Sequence, residues 1–349
     1  MKNLVYLIFP LLLILCHCSE TKEHFTGVIH SGTTQNADDP ASKGIYKVKT
    51  IYNNDIEYKI KKSVHAVHQQ FLEAIIKKDR SKLQRIMVSD FKDCDITYLI
   101  NAGNEHFKDN KLNTLCEYYS IVESNGNVSY PILPNRNNFF IINSISVQNN
   151  EIYNLFQINE NRVFKFLYHS MYILENNSWR VKTFWIGLYS IGNKNAIEWH
   201  KTAKESYLNA NLFIAYFSGF ISNKLLRTIP YLQVRDEKEL LESNDEIINT
   251  ASKQLEHFTE KNVIIGFDFM VYPDRSYPLI KYVSTENSAD NKAIESEAKK
   301  LLMELSRKYE YIQKYFPLCG FQAFKEKPAD LNSNSSSHYG IIEFNTNSL

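Results

Sequence analysis

Four runs rich in Phe, Tyr, Ile and Val lie between Asn138 and Ile191: Phe139–Val147, Ile152–Ile158, Val163–Leu174 and Trp179–Ile191. Asparagine-rich breaks separate them, at Asn149-Asn150, Asn159-Glu160-Asn161 and Glu175-Asn176-Asn177. β-Branched and aromatic residues suit a pleated surface, and Asn tolerates the positive φ of tight hairpin turns. Such a block predicts a meander of long antiparallel strands. Helical periodicity precedes it. Val64, Val67, Phe71 and Ile75 recur at three- and four-residue intervals, with Leu72 and Ile76 widening the stripe. Asp79-Arg80-Ser81 breaks and recaps the chain, and Leu83, Ile86 and Met87 give a second short apolar face ending at Phe91. The mixed stretch from Asp95 to Glu123 is predicted helical. A helical hairpin ahead of a meander predicts an α+β layer, with the helices on one face of a curved antiparallel sheet.

The rest of the chain divides further. Residues 193–258 read as a helical connector, with Trp199, Ala203, Tyr207, Ala210, Ile214, Phe217 and Ile221 in helical spacing. The apolar run Leu212–Ile221 is too short to span a bilayer and holds Ser218 and Gly219, so it predicts a buried helix. In 259–349, alternation over Val263–Val271, a turn at Tyr272–Ser276 and a return strand Pro278–Val283 predict a hairpin. A helix over Asn291–Ile312 and a last strand Tyr339–Phe344 complete a small ββαβ domain. At 349 residues two compact domains are expected. Lys plus Arg is 40 and Asp plus Glu is 39, and so even a balance argues against a general nucleic-acid or anionic-membrane binder, either of which needs excess positive charge.

The N-terminus reads as an address. Lys2 precedes the apolar run Leu4–Leu15, about 12 residues against the roughly 20 of a membrane span. Cys16 and Cys18 follow, then Ser19-Glu20-Thr21-Lys22. This resembles a bacterial lipoprotein signal of the Bacteroidota type. It implies residues 1–18 as signal, lipidation (palmitate among the chains) at Cys18 or alternatively Cys16, and a polar tether over 19–58. The implied location is the cell envelope, at the outer membrane; an ordinary secreted protein with a cleaved signal is the alternative. Cys94, Cys116 and Cys319 show no zinc spacing. They are read as buried small hydrophobes, with a Cys94–Cys116 bridge as the alternative.

Two modules carry family resemblances. The run Phe71-Leu72-Glu73-Ala74-Ile75-Ile76-Lys77-Lys78-Asp79, with Leu83, Phe91 and the closing strand Asn177–Phe184, resembles the nuclear transport factor 2-like superfamily. That family includes SnoaL-like and ketosteroid-isomerase-like proteins. The resemblance covers about residues 59–192 and implies a cone-shaped α+β domain. Phe267–Asp274, Ile280–Ser284, Ile294–Ala298 and Ile341–Phe344 resemble the C-terminal domain of TonB proteins. Arg275 departs from that pattern in the turn, and Phe316-Pro317 and Lys327-Pro328 only echo its later segments. The resemblance implies a sheet edge that takes up an extended peptide.

Chemistry-bearing residues are few. His65-x-x-His68 places two imidazoles near one helix face, but no third ligand stands at a telling distance, so no metal is expected. Asp90, Asp93 and Asp95 cluster after the second helix; in the cone fold a pocket carboxylate can serve as a base, and in a bland reading they cap a helix. Tyr118, Tyr119, Tyr168 and Tyr172 are candidates to line a cone, or core. There is no GxSxG, HExxH or P-loop, and no cofactor is implied. The function expected is a non-catalytic, lipid-anchored envelope binding protein, taking a small apolar ligand or a protein or peptide partner. The alternatives are a small isomerase, dehydratase or hydrolase using Asp90, Asp93 or Asp95, and a structural envelope protein.

Overall fold

The computed structural model describes residues 46–89, 96–97, 99–101, 107, 111–124, 131–132, 140–143, 150–159, 164–227, 232–234, 236–257, 259, 261–272, 275–286, 291–309, 311–327 and 338–348. They fall into two compact units. One gathers the described residues within Met1–Glu160, Leu167–Gly187 and Thr228–Gln233, the other those within Asn161–Phe166, Leu188–Arg227 and Val234–Leu349. The architecture is α+β.

In the first unit, strand β1 (Tyr46–Tyr52), helices α1 (Tyr58–Ile76) and α2 (Arg80–Ile86) and strand β2 (Leu112–Ser124) come first. Strands β3 (Pro131–Ile132), β4 (Phe140–Asn143), β5 (Asn150–Asn159), β6 (Phe164–Glu175) and β7 (Ser178–Ile191) follow, with 164–166 of β6 and 188–191 of β7 counted in the second unit. The principal sheet runs β1-β2-β5-β6-β7, with β1/β2, β2/β5 and β5/β6 antiparallel. A bulge between Thr114 and Cys116 helps curve it. The β6–β7 hairpin turns on Asn176 (φ 49°) and Asn177 (φ 58°), both left-handed as the tight turn requires. Helix α1 buries Val64, Phe71, Ala74 and Ile75, and Phe71 meets Phe184 edge-on at 5.2 Å. Asp79 caps α2 by accepting from the Lys82 amide at 2.9 Å.

Several segments depart from the sequence expectation, among them the strand Leu232–Val234, which lies inside the stretch 193–258 predicted as a helical connector. Leu112–Ser124, predicted helical, is the strand β2, because β1 and β5 supply a ladder on each of its edges. Strand β1 lies inside the stretch 19–58 predicted as a tether. Strand β4 pairs with β3, in a separate three-stranded sheet ordered β3-β4-β8 with β8 (Leu232–Val234), not in the principal sheet.

The second unit holds helices α3 (Ala196–Leu208), α4 (Leu212–Leu226) and α5 (Glu237–Leu255). They share a core of Ala203, Ala215 and Ile247. Helix α4 is buried nearly all round, and among the described residues no helix is long and apolar enough to cross a membrane. A buried polar knot fixes the register of the three helices. The Asn244 amide donates to Ser222 Oγ (2.9 Å) and Asn223 Oδ1 (2.8 Å), and its oxygen accepts from His200 Nδ1 (2.8 Å).

A second sheet follows: β9 (Val263–Val271), β10 (Ser276–Val283), helices α6 (Asn291–Lys308) and α7 (Ile312–Tyr315), β11 (Leu318–Phe324) and β12 (His338–Asn345). Its order is β12-β11-β10-β9, with β10 and β11 parallel across the α6 crossover. The predicted ββαβ domain thus gains a strand, β11, and becomes ββαββ. Gly320 on β11 lets the Tyr277 ring cross the strand; a Cβ there would sit 2.6 Å from Tyr277 Cε2. The ring then delivers its hydroxyl to Glu343 on β12 at 2.8 Å. At the β9 edge, the Phe269 amide donates to Asp268 Oδ1 (2.7 Å), and its carbonyl accepts from Lys224 Nζ (3.4 Å).

Candidate functional site

Helix α1 turns Lys61, His65 and His68 toward the principal sheet. The spacing of four and then three residues keeps them on one helical face. Opposite stands Glu117 of β2, whose side chain is 7 % exposed. Three groups converge on its carboxylate. Lys61 Nζ donates to Oε2 at 2.7 Å, and the Tyr153 hydroxyl and His65 Nε2 donate to Oε1, the former at 2.7 Å. The backbone amide of Glu117 donates to Asn53 Oδ1 (2.8 Å), just where β1 stops pairing.

Burial pushes the Glu117 carboxyl up, but the hydrogen bonds from His65, Lys61 and Tyr153 outweigh it and hold the group at about 2. Glu117 is therefore an anion throughout the neutral range. Burial, with Glu117 adding to it, pushes the Tyr153 hydroxyl far above the ordinary tyrosine value. Tyr153 and Tyr119 both meet Trp179 edge-on, at 6.3 and 6.4 Å.

His68 has a different partner. Its Nδ1 shares a hydrogen bond with the Tyr172 hydroxyl at 2.5 Å. Burial lowers His68 to about 4, with the Gln157 side chain opposing the shift and His65 adding to it. Strand register lines up Tyr119, Tyr153 and Tyr172 across β2, β5 and β6. Gln157 and Tyr168 form a further pair on the same face four residues along. The result is a tyrosine-rich wall under α1 with one fixed anion and one neutral imidazole. His65 is its solvent-facing member, its side chain 44 % exposed.

The predicted candidates divide as follows. Tyr168 and Tyr172 stand on the α1 face, whereas Tyr118 stands opposite Asn154 on the other face and packs against Phe156 at 5.8 Å. Tyr118 is thus separated from the other two. On that second face the buried His169 donates from Nε2 to Asn154 Oδ1 (3.0 Å) and stacks on Phe156 at 4.2 Å, and burial lowers it to about 3. The pair His65 and His68 is divided between Glu117 and Tyr172. Among the described residues no group of three His, Cys, Asp or Glu side chains is placed to hold a metal. Cys116 and Cys319 are free and buried. Burial raises the Cys116 thiol to about 11 and pushes Cys319 up as well. Asp90, Asp93, Asp95, Cys94, Cys16 and Cys18 lie outside the described residues.

Sequence reasoning missed Lys61, Glu117 and Tyr153. A signal for the first was present: a polar line Lys61, His65, His68 on a helix whose packed side should be apolar. Glu117 had none, because its partners come from distant segments.

No family model matches the chain, and no curated protein matches it. Among solved structures, an NTF-2-like protein of unknown function from Silicibacter pomeroyi is similar at 16 % identity, over 37 % of this chain and 96 % of that one, with a TM-score of 0.21. The α+β architecture described above stands on strand order and register.

Proposed function

We propose that the protein is a lipid-anchored, envelope-facing binding protein, and that the wall beneath α1 recognises a small ligand without transforming it. One observation carries the reading: the Glu117 carboxylate is clamped by three donors and held at about 2. A group so far below neutrality is a poor proton acceptor at physiological pH. His68, at about 4, is neutral there. The wall offers a fixed pattern of donors and acceptors, which suits recognition. The lipid anchor rests on the N-terminal Cys16/Cys18 pattern. A peptide partner at the second sheet is a narrower prospect, since a strand added along β9 would have to displace Lys224 from the Phe269 carbonyl.

Two measurements test the reading. Metabolic labelling with radioactive palmitate should mark the wild type and spare Cys18→Ser; an unlabelled wild type removes the anchor. In a thermal-shift screen of small apolar carboxylic acids, alcohols and amines, compounds that raise the wild-type Tm should lose their effect on Glu117→Gln. A screen in which both proteins respond alike removes the wall as the site.

A second reading has its own observation. Nε2 of His65 is committed to Glu117, while the ring is 44 % exposed. A carboxylate-oriented imidazole with one open nitrogen is the form of a general base. On this reading the protein is a small cone-fold enzyme using His65 in place of the aspartates expected from sequence. Turnover of any screened compound that His65→Gln abolishes would select it.

A further inference from the structure

Two polar atoms buried in the first unit make no hydrogen bond among the described residues: Nε2 of His68 on α1 and Oε1 of Gln157 on β5. His68 is 6 % exposed and Gln157 9 %. The two side chains are neighbours, since Gln157 acts on the His68 ring. An imidazole nitrogen and an amide oxygen are natural partners, yet this pair does not close. Folded chains leave few buried polar atoms in that state without a reason.

Both side chains are held in place. Nδ1 of His68 is engaged with the Tyr172 hydroxyl at 2.5 Å, and the two rings meet edge-on at 6.1 Å, which fixes the direction of Nε2. Gln157 stands opposite Tyr168 in the ladder, and the Tyr168 ring lies against Phe107 at 5.2 Å. Phe107 in turn meets Phe184 at 5.7 Å, and Phe184 meets Phe71, on the next turn of α1 after His68. The polar pair therefore borders an aromatic group. Its surroundings penalise charge of either sign. Burial lowers His68 to about 4 and pushes the Tyr172 hydroxyl far above its ordinary value. A cationic or anionic ligand head would meet the same penalty.

We propose that His68 and Gln157 form the polar end of the ligand site, and that the ligand is a neutral alcohol with an apolar body. One hydroxyl satisfies both atoms. Its oxygen accepts from Nε2–H of His68, and its proton is donated to Oε1 of Gln157; Nδ1 then accepts from Tyr172. A carboxylate has no proton for Gln157, and an ammonium has no lone pair for Nε2–H. The proposal rests on the reading of the wall beneath α1 as a binding surface and narrows the chemistry it takes.

Equilibrium dialysis of the full chain against benzyl alcohol, benzylamine and benzoate at neutral pH tests it. The three share a ring and differ in the head. The alcohol should be retained roughly tenfold more tightly than either charged compound. Gln157→Met keeps the bulk of the side chain and removes the acceptor. It should weaken the alcohol about tenfold and leave the Tm unchanged or higher, because the oxygen it removes is unpaired. Equal retention of the three compounds overturns the proposal, as does an alcohol that is not retained or that binds Gln157→Met as tightly as the wild type. A Tm lowered by Gln157→Met, with no alcohol retained, assigns the pair to an internal water and overturns it too. The three-compound comparison uses the wild type alone, so it decides the matter whether or not the variant folds. An acid or amine that loses its thermal shift on Glu117→Gln, while the alcohol goes unbound, keeps the wall as a binding surface and removes only this assignment, so the two failures are told apart.

Discussion

Two helix ends place a non-glycine residue where the backbone is left-handed. After α1, the Lys78 amide donates to the Ile75 carbonyl (3.0 Å) and the Asp79 amide to that of Ala74 (2.8 Å), with Lys78 at φ 56°. After α3, Ala210 and Asn211 repeat the pattern on Tyr207 and Ser206, with Ala210 at φ 58°. Both are Schellman closures, which favour glycine at that position. Lys78→Gly and Ala210→Gly are each expected to stabilise the fold by about 1 kcal/mol, read as a higher urea midpoint at unchanged slope. At Glu117 the sign reverses. Glu117→Ala leaves Lys61, His65 and Tyr153 without their acceptor and should cost about 3 kcal/mol in the same assay. Single residues were unevenly legible. The Asn176-Asn177 turn could be read because its chemistry is local. Glu117 could not, since His65 and Tyr153 are 52 and 36 positions away.

Among the elements, legibility followed how local the organising forces are. The later strands and α3 to α6 carry their own periodicity. Strand β2 does not: Leu112–Ser124 is extended because β1 and β5 flank it. Strand β11 carries no such signal, because Leu318–Phe324 is short, follows a helix directly and is buried at both odd and even positions. Its place in the sheet can be tested at Gly320. A methyl group there meets the fully buried Tyr277 ring, which its bond to Glu343 keeps from moving aside. Gly320→Ala should cost about 1–3 kcal/mol of stability, and Tyr277→Leu in the same chain should recover part of the loss. For the three-helix group, Asn244→Leu strips three hydrogen bonds from a buried site and should cost about 2–3 kcal/mol by thermal unfolding.

For the molecule as a whole, acid is a condition that the interior tolerates poorly. His68 and His169 are neutral in the folded first unit, at about 4 and about 3, against an ordinary value of 6.5. The unfolded chain binds the extra protons first. Stability should therefore fall as pH drops below about 6.5, by about 1.4 kcal/mol per pH unit for each ring, until its folded value is reached. Glu117 adds a later loss, as its stabilising charge is present above its ordinary 4.5 and is lost toward about 2. Denaturation midpoints followed by fluorescence between pH 7 and pH 4 should decline, and His68→Gln should flatten the curve. An unchanged midpoint over that interval would contradict the buried, neutral state of these imidazoles.

The contact of Lys224 with the Phe269 carbonyl bears on what happens before any partner arrives. A border strand as greasy as Val263–Val271 is a natural template for fibril growth when many copies crowd together. A single ammonium bolted across it, with Asp268 occupying the neighbouring amide, interrupts the template two residues before its end. Lys224→Met would leave the fold's interior packing alone yet hand neighbouring molecules an uninterrupted seam. Such a protein should clump at concentrations that leave the parent clear, as light scattering would report.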